Sequence, residues 1–451
     1  MRLFGTNGIR GKVGENLTPD FLSEVGLAIG AYLPQGNNVV VGMDTRVSGE
    51  MVKNAVVSGL LASGVNVIDI GLAPTPAIQF YTKNHGDFGI AITASHNPPE
   101  FNGVKAIAGD GTELPREEEE RIEKIFFSKN WRIVNWRDVG KYQKKEGANE
   151  EYIKGILSHV DVEKIRNRKF VVVVDCANGA SCFTTPYLLE RLGCRVISLN
   201  CHSDGTFPGH ESEPKEENLQ DLISVVGDVS ADLGIAHDGD ADRAIFVDDR
   251  GRFISGDKTL ALVAREIVKN KGGKVVTPVS TSLILEKVVK ENGGEVVYTK
   301  VGAPIVARKM IEVGAVFGGE ENGGMIFPEH QYCRDGAMTL AKILEIMAKS
   351  GKKLSEMIDA LPRYYQKKIS VSCSDDKKVK VLESLKEKLK DEKIDTLDGI
   401  KIWGENWWIL IRPSGTEPIY RIYGEARDKE ILDSLIEKYK RALEETIASI
   451  S

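Results

Sequence analysis

One unit occurs three times along this chain of 451 residues, and it constrains the fold more than any other feature. Each copy consists of an apolar β-branched run, a loop of small residues, an amphipathic helix, a glycine and a second apolar run. The two apolar runs of each copy begin at Val39 and Val65, Phe170 and Arg195, and Val275 and Val296. Continuous valine and isoleucine runs beside helices are typical of parallel strands buried on both faces. The sequence therefore predicts an α/β protein with three similar βαβ domains.

A different unit follows residue 362. A Lys/Glu-rich helix over 379–389, apolar runs at 407–411 and 419–423, and a closing helix from Lys429 predict a small α+β domain. We place the domain boundaries in the polar stretch 141–147, in the turn 248–251 and after residue 362. The predicted domains are residues 1–145, 146–249, 250–362 and 363–451.

Composition excludes several classes of function. The formal charge of −6 argues against a nucleic-acid partner or an anionic membrane recruited by bulk charge. No apolar run approaches the length of a spanning helix, and the first eight residues lack the apolar stretch of a signal peptide, so we expect a cytoplasmic protein. The six cysteines contain no Cys-x-x-Cys pair and the seven histidines no zinc-site spacing, so neither a disulfide framework nor a zinc site is expected.

The most specific motif is Asp-Gly-Asp-Ala-Asp-Arg at residues 238–243, after an apolar run. Three carboxylates so close repel one another unless a cation lies between them, and oxygen ligands favour Mg²⁺ over zinc or copper. An EF-hand is disfavoured because Arg243 stands where that loop needs glycine and a strand-like run follows. A solvated acidic turn is the other alternative.

The loop at residues 93–99 reads Thr-Ala-Ser-His-Asn-Pro-Pro and also follows an apolar run. Its prolines forbid a helix, so Ser95 is held at a strand end on a rigid turn, where it could attack or carry a phosphoryl group. The surrounding residues do not form the Gly-x-Ser-x-Gly elbow of hydrolases. His96 is interpreted as an orienting or structural group, since the partners of a catalytic triad are usually distant in sequence.

Two further loops carry groups that could bind a phosphorylated polyol. Residues 412–418 read Arg-Pro-Ser-Gly-Thr-Glu-Pro and, with Arg421, offer guanidinium, hydroxyl and backbone donors to a phosphate, although a plain surface turn is the alternative. Residues 318–324 read Gly-Gly-Glu-Glu-Asn-Gly-Gly, in which Glu320 and Asn322 could bond vicinal hydroxyls. Neither loop carries a nucleotide-binding motif. The four loops together indicate an anionic substrate held at two ends.

These four loops, in this order, together with Phe-Gly-Thr-Asn-Gly-Ile-Arg-Gly at residues 4–11, resemble the α-D-phosphohexomutases over essentially the whole chain. Residues 318–324 and the Arg-Asp-Gly-Ala-Met run at 334–338 are most similar to archaeal-type phosphoglucosamine mutases. The resemblance implies four domains around a central cleft, three mixed α/β and a C-terminal α+β. It also implies interconversion of glucosamine-6-phosphate and glucosamine-1-phosphate through a phosphoserine enzyme, for amino-sugar nucleotide biosynthesis.

The same resemblance implies a role for each site residue. Ser95 would be carried as phosphoserine, and Asp238, Asp240 and Asp242 would hold one Mg²⁺ together with an oxygen of that phosphate. A hexose 1,6-bisphosphate would be the intermediate and activator. Arg10, Lys105 and Arg243 would lie near the transferring phosphoryl group, and Glu320 and Asn322 would bind the sugar hydroxyls. The phosphate that is not transferred would be bound by Arg412, Ser414, Gly415, Thr416 and Arg421.

Two departures from the family leave the general base open. Gly324 and Ala303 stand where many or some members carry histidine. Lys105 is the remaining candidate, provided that cationic neighbours and partial burial lower its pKa.

The alternative functions are a phosphomannomutase or phosphoglucomutase of the same family, a phosphatase with Asp238 as nucleophile, and a sugar-phosphate-binding protein without turnover. The expected partner is a hexose phosphate, with no nucleic acid or membrane, and an oligomer is possible.

Overall fold

A computed structural model describes residues 2–5, 7–414 and 417–450 and divides them among four β-sheets with flanking helices. The first sheet contains strands β1 (Ile9–Lys12), β2 (Asn38–Met43), β3 (Asn66–Leu72), β4 (Phe88–Ile92), β5 (Phe101–Ala108) and β6 (Tyr142–Lys144). Its helices are α1 (Pro19–Tyr32), α2 (Gly49–Ala62), α3 (Thr75–His85) and α4 (Arg116–Ser128). The prediction of an α/β fold is confirmed.

The second and third sheets are built in the same way. The second domain contains α5 (Ala148–Leu157), α6 (Val162–Arg168), β7 (Val171–Asp175), α7 (Thr185–Arg191), β8 (Arg195–Leu199), α8 (Gln220–Asp228), β9 (Leu233–His237), β10 (Ala244–Asp248) and β11 (Phe253–Ile254). The third contains α9 (Gly256–Lys271), β12 (Lys274–Pro278), α10 (Leu283–Glu291), β13 (Glu295–Thr299), α11 (Ala303–Val313), β14 (Phe317–Gly319), β15 (Met325–Phe327), β16 (Gln331–Arg334), α12 (Gly336–Ser350) and α13 (Leu354–Asp359).

The three sheets share one strand order. It is β1-β5-β4-β2-β3-β6 in the first, β11-β10-β9-β7-β8 in the second and β16-β15-β14-β12-β13 in the third. In each sheet the two strands of the predicted βαβ unit pair in parallel, and a third strand pairs in parallel with the first of them. That third strand then turns into an antiparallel neighbour. The predicted three-fold repeat is therefore confirmed, and it places a turn at the same edge of each sheet.

The C-terminal domain is a five-stranded sheet with two helices. Its elements are β17 (Tyr365–Ser372), α14 (Lys378–Lys388), β18 (Ile394–Asp395), β19 (Ile400–Trp403), β20 (Trp407–Pro413), β21 (Ile419–Ala426) and α15 (Lys429–Ser449). Both predicted helices and the two central strands are present. The sequence analysis did not predict β17, because six of its eight residues are exposed and its lysines obscure the alternation.

Two predicted breaks lie inside sheets. The polar stretch at 141–147, predicted as a linker, contains β6, which pairs in parallel with β3 as the exposed edge of the first sheet. The turn at 248–251, at which we placed the end of the second domain, joins β10 to β11, so that Phe246 pairs with Ile254. The second sheet therefore extends beyond the predicted boundary at residue 249.

Buried charged groups connect the third and fourth domains. The Lys401 ammonium lies 3.9 Å from the ring centre of Trp403, 4.3 Å from that of Trp408 and 5.2 Å from that of Tyr298. The Glu425 carboxylate accepts hydrogen bonds from Ser282 Oγ, which caps α10, and from Trp408 Nε1. Cation–π contacts and hydrogen bonds to a buried carboxylate at this interface hold the two domains in one orientation.

No helix in the described part of the chain is long and apolar enough to cross a membrane.

Candidate active site

Three of the predicted loops occupy corresponding positions in the three sheets. The loop at 93–99 follows β4, that at 238–243 follows β9 and that at 320–324 follows β14. Each begins where a parallel central strand ends, before its antiparallel neighbour. Backbone hydrogen bonds join the loops to one another or to neighbouring domains: Thr75 N donates to Asp240 O, and Ala244 N donates to Gly323 O. The repeat therefore brings the polar loops of three domains together.

Ser95 lies at the centre of this junction. Its backbone has a φ of 53°, in the left-handed region, and its side chain is buried. Ser95 Oγ donates a hydrogen bond of 2.8 Å to Asp238 Oδ2, so the serine and the carboxylate motif are in direct contact. A Cβ on Gly239 would stand 2.6 Å from Ser95 O, which explains the glycine between the first two aspartates. The resemblance implied a metal shared by Ser95 and the three aspartates, and the structure brings the serine and Asp238 together.

Arg46, which the sequence analysis missed, holds the serine loop in place. Its guanidinium donates to the carbonyl oxygens of Ser95, Asn97, Pro98 and Phe101 at 2.6–2.9 Å. It also pairs with the Asp44 carboxylate, which in turn accepts from Thr93 Oγ1. These donors fix an irregular loop that lacks a strand partner, and thereby fix the strained backbone of Ser95.

We expect Arg46→Lys to lower turnover about tenfold to a hundredfold, because lysine supplies three point donors where arginine supplies a planar fork and a small displacement of the serine is costly. Steady-state kinetics and melting midpoints measure the effect. The matched control is Arg132→Lys in the same domain, whose guanidinium also donates to three backbone carbonyls. The control should lose stability without loss of turnover, and equal turnover loss in both variants would show that Arg46 stabilises the domain only.

Asp238, Asp240 and Asp242 form a buried cluster in which one ligand atom of each lies within 4.8 Å of the others. Burial and then the charges of the other two raise the pKa of Asp238 well above its usual value. Burial alone would also raise the pKa of Asp240, but Lys105 and its other hydrogen-bond partners hold it below its usual value. The electrostatic conflict between three carboxylates is therefore only partly relieved by the chain's own cations.

The cluster fits a hard divalent cation. Among the described residues, buried Asp240 Oδ1 and Asp242 Oδ1 have no hydrogen-bond partner, whereas the second oxygen of each is occupied. Arg243 Nε lies 3.9 Å from Asp238 and 3.8 Å from Asp242, too far for a hydrogen bond. Buried carboxylate oxygens are normally paired or coordinate a metal, and oxygen ligands suit Mg²⁺. The residues that would hold it are the three aspartates and Ser95.

The condition under which Lys105 could serve as the general base, a lowered pKa, is not met in the metal-free chain. Lys105 Nζ lies 2.8 Å from Asp240 and 3.3 Å from Asp242. Burial would lower its pKa, but the two carboxylates outweigh burial and raise the pKa above the usual value for lysine. In the metal-free chain the two carboxylates therefore favour the protonated form of Lys105.

Two other predicted groups border the serine. Arg10 donates to Asn97 Oδ1 in the serine loop at 2.8 Å. His96 Nδ1 lies 3.4 Å from Ser95 Oγ, and burial followed by the charge of Arg243 lowers the pKa of His96 to about 4. The imidazole is therefore neutral at physiological pH, in keeping with an orienting group.

The loop after β14 faces the same junction. Glu320 is buried, and its Oε2 accepts a hydrogen bond of 2.8 Å from Arg334 Nη1. Arg334 Nη2 in turn bonds Asp242 Oδ2. Asn322 Oδ1 accepts from Gly324 N, which leaves its amide group available to a ligand. Arg334 was quoted in the sequence motif without a role, although it joins two of the loops.

The fourth loop carries two arginines side by side. Arg412 on β20 and Arg421 on β21 are cross-strand partners, so their side chains leave the sheet on one face. Arg412 lies 3.5 Å from Asp398, whose carboxylate also accepts from the backbone of Val301 in the third domain. Arg421 pairs with the Glu417 carboxylate at 2.5 Å, so each of the two facing arginines has an acidic neighbour that offsets their repulsion. Ser414 O accepts from Lys378, while Gly415 and Thr416 lie outside the described residues.

The functional residues that we missed share one signal. Asp44 and Arg46 follow β2, and Thr75 begins the helix that follows β3, at the edge of the sheet where Ser95 also lies. Thr75 Oγ1 donates to Asp240 Oδ2 at 2.7 Å. Polar residues that follow several buried parallel strands meet at one edge, and this rule would have found them.

Comparison with known protein families divides the chain into the same four domains as the structure does. Models described as phosphoglucomutase/phosphomannomutase alpha/beta/alpha domains I, II and III match residues 1–132, 150–251 and 255–365, and the C-terminal domain model matches residues 369–442. A phosphoglucomutase/phosphomannomutase of Thermococcus kodakarensis is 50% identical over 99% of both chains. A phosphoglucosamine/phosphogalactosamine mutase of Sulfurisphaera tokodaii is 40% identical over 98% of this chain and 99% of that protein.

A solved structure agrees with these sequence matches. The crystal structure of a phosphoglucomutase/phosphomannomutase family protein from Burkholderia thailandensis superposes with a TM-score of 0.89 at 30% identity. The superposition covers 98% of this chain and 97% of that one. All four domains are therefore shared with these proteins in sequence and in structure.

Proposed function

This chain belongs to the phosphoglucomutase/phosphomannomutase family of phosphohexomutases, and we propose that it interconverts glucosamine-6-phosphate and glucosamine-1-phosphate through a phosphoserine at Ser95. The observation that carries the proposal is the contact between Ser95 Oγ and Asp238 in the buried carboxylate cluster. The amino-sugar preference is supported by the Sulfurisphaera relative, a phosphoglucosamine/phosphogalactosamine mutase. Glucose or mannose phosphates are the second candidate, favoured by the name of the Thermococcus relative.

The proposed reaction transfers two different phosphoryl groups in succession, one from Ser95 to the sugar and one from the sugar to Ser95. Phosphoserine 95 gives its phosphoryl group to the free hydroxyl of the hexose monophosphate, so a hexose 1,6-bisphosphate forms and Ser95 Oγ is freed. The bisphosphate then turns end for end, and Ser95 recovers a phosphoryl group from the other position. Both phosphates of the bisphosphate must bind in turn at residues 412–418 and Arg421. This site must therefore recognise the charge of a phosphate and not the shape of the sugar.

Each residue near Ser95 has a proposed part in that transfer. The cations Lys105, Arg10 and Arg243 offset the charge of the phosphoryl group in a buried site, where each charge counts for more than in water. Mg²⁺ held by Asp238, Asp240, Asp242 and Ser95 would supply further charge neutralisation when bound. Because phosphoryl transfer is loosely dissociative, positioning and charge contribute more than a strong base. The reaction is therefore compatible with a protonated Lys105.

The remaining residues hold the sugar and its second phosphate. Glu320 and Asn322 lie on the loop that Arg334 joins to Asp242 and would bind the sugar hydroxyls. Arg412 and Arg421, with Ser414, Gly415 and Thr416, would hold the phosphate that is not transferred. This arrangement keeps the reacting hydroxyl near Ser95 while the other end is fixed.

Parallel assays test the proposal. Glucosamine-6-phosphate, mannose-6-phosphate and glucose-6-phosphate are supplied separately with Mg²⁺ and a trace of the matching 1,6-bisphosphate, and kcat/KM is compared. We expect the glucosamine ester to be preferred. A preference for glucose or mannose ester would support the second candidate, and hydrolysis without interconversion would contradict a mutase.

Replacement of Arg412 separates phosphate binding from turnover. Because Arg412 would contact the distal phosphate in the ground state and in the transition state, Arg412→Ala should raise KM with a smaller change in kcat. A charged hydrogen bond is worth about 1.5–3 kcal/mol, which corresponds to about a tenfold to hundredfold change in KM. Arg412→Lys should recover only part of the loss, since the bidentate fork is absent.

The matched control is Arg427→Ala, which removes an exposed arginine from the same domain. It should leave KM unchanged. Release of free bisphosphate by Arg412→Ala would indicate an intermediate that leaves before it is recaptured. An unchanged KM in both Arg412 variants would show that residues 412–418 form only a turn.

A further inference from the structure

Arg334 lies at the end of β16 with its side chain 5% exposed, and its guanidinium connects two loops of different domains. Nη2 lies 2.5 Å from Asp242 Oδ2 in the carboxylate cluster, and Nη1 lies 2.8 Å from Glu320 Oε2 in the loop after β14. A buried guanidinium with a carboxylate at each end has a fixed position, because withdrawal from either partner leaves a buried charge unpaired. The two loops are therefore held at a fixed separation.

The stem of the same side chain occupies the space beside Gly324. A Cβ built on Gly324 would stand 2.2 Å from Arg334 Cδ and 2.9 Å from Cγ. The backbone of Gly324 lies outside the left-handed region, so its φ does not require glycine. The long stem of an arginine can usually move aside, but here both ends of the guanidinium are anchored. Gly324 is thus a glycine because Arg334 passes over it.

We propose that Arg334 is a positioning residue that sets the Glu320 carboxylate against the carboxylate cluster, and that Gly324 and Arg334 act as one unit. The proposal rests on the proposed function, because it assigns Glu320 to the sugar hydroxyls. Arg334 occupies Oε2 of Glu320 and leaves Oε1 to accept from a hydroxyl. On the other side it occupies Oδ2 of Asp242 and leaves Oδ1 directed at the cation site. The Arg334 side chain thereby fixes the distance between Glu320, which would bind the sugar hydroxyls, and the carboxylate cluster beside Ser95.

A double-mutant cycle tests the coupling of the two positions. The variants are Gly324→Ala, Arg334→Ala and the double variant, and each is measured for melting midpoint without substrate and for kcat/KM with the preferred hexose phosphate. We expect Gly324→Ala alone to lower the melting midpoint by several degrees and kcat/KM by at least about tenfold. In the Arg334→Ala background the same alanine should change kcat/KM by less than about threefold, since its Cβ then meets only Asn322 Oδ1, at 3.2 Å.

Gly227→Ala is the matched control, because a Cβ at Gly227 meets no atom within 4 Å. It should leave kcat/KM unchanged, and because alanine is a better helix former than glycine in α8, it should not lower the melting midpoint. Additive effects of the two substitutions, in stability and in kcat/KM, would overturn the proposal. The melting measurements need no substrate, so they test the pairing even if no hexose phosphate is interconverted. A wild-type chain without mutase activity would instead contradict the proposed function.

Arg334→Lys tests the positioning role in a chain that keeps the buried charge. An ammonium cannot bridge two carboxylates with a planar fork, so we expect Glu320 to lose its orientation while the fold is retained. Because Glu320 binds the substrate in both the ground and transition states, KM should rise about tenfold with a smaller fall in kcat. An unchanged KM in Arg334→Lys, at an unchanged melting midpoint, would overturn the assignment.

Discussion

Ser95→Ala should abolish interconversion of hexose phosphates, with a loss of kcat of at least about 10⁴-fold, because removal of a covalent carrier leaves only binding and electrostatic contributions. Ser95 Oγ is the hydroxyl that contacts the carboxylate cluster at Asp238, and alanine supplies no acceptor for a phosphoryl group. Incubation of the wild type with a labelled hexose bisphosphate should leave an acid-stable phosphate on the chain. The variant should carry no such label, and both results are read by mass spectrometry of peptides.

Ser212→Ala is the matched control for this experiment. Ser212 is also buried and its Oγ donates weakly, at 3.4 Å, to Asn97 O in the same loop. The control removes an equivalent hydroxyl from the neighbourhood without touching the cluster, and it should retain label and turnover. An acid-labile phosphate on Asp238, or label that persists in Ser95→Ala, would favour a phosphatase with an aspartyl nucleophile.

Much of the architecture could be predicted because each βαβ unit has its own hydrophobic pattern within one continuous stretch of sequence. Buried parallel strands require continuous apolar runs, and the helices between them require an amphipathic period, so the runs at Val39, Phe170 and Val275 identified three sheets. The edge strands β6 and β17 were not predicted, because they lack this hydrophobic pattern. All three residues of β6 are exposed, and β17 has six exposed residues, so the hydrophobic pattern that marks a strand is weak there.

The site was predicted in part for a related reason. A motif whose functional groups all lie in one short segment, such as the three alternate aspartates, can be recognised within six residues. Contacts between residues far apart in sequence cannot, because they depend on how strands and sheets are placed relative to one another. Arg46 reaches the serine loop across 49 residues and Arg334 reaches Asp242 across 92, and nothing local to either arginine indicates its partner. The pKa of Lys105 was misjudged because its two carboxylate partners lie in another domain.

Removal of a metal ligand should have an effect comparable to loss of the serine. Asp240→Asn should weaken Mg²⁺ binding by at least about a hundredfold, since replacement even of a group that only supports a metal ligand costs tenfold to a hundredfold. Activity at a fixed Mg²⁺ concentration should fall with it. Binding is measured by calorimetric titration, and by the rise in melting midpoint that a ligand specific for the folded chain produces. An unchanged midpoint shift in the variant, or full activity of the wild type in excess chelator, would contradict a metal site here.

Asp238→Asn gives the same loss of metal but the opposite effect on the stability of the metal-free chain. Asp240 is paired with the Lys105 ammonium at 2.8 Å, so its loss breaks a buried ion pair and should cost about 3 kcal/mol of unfolding free energy. Asp238 has no cation at hydrogen-bond distance among the described residues, and burial with two neighbouring carboxylates raises its pKa. Because its charge opposes folding when no metal is bound, Asp238→Asn in excess chelator should raise the melting midpoint. Denaturant unfolding of both variants in chelator measures the difference, and equal destabilisation would show that the three carboxylates do not repel one another in the folded chain.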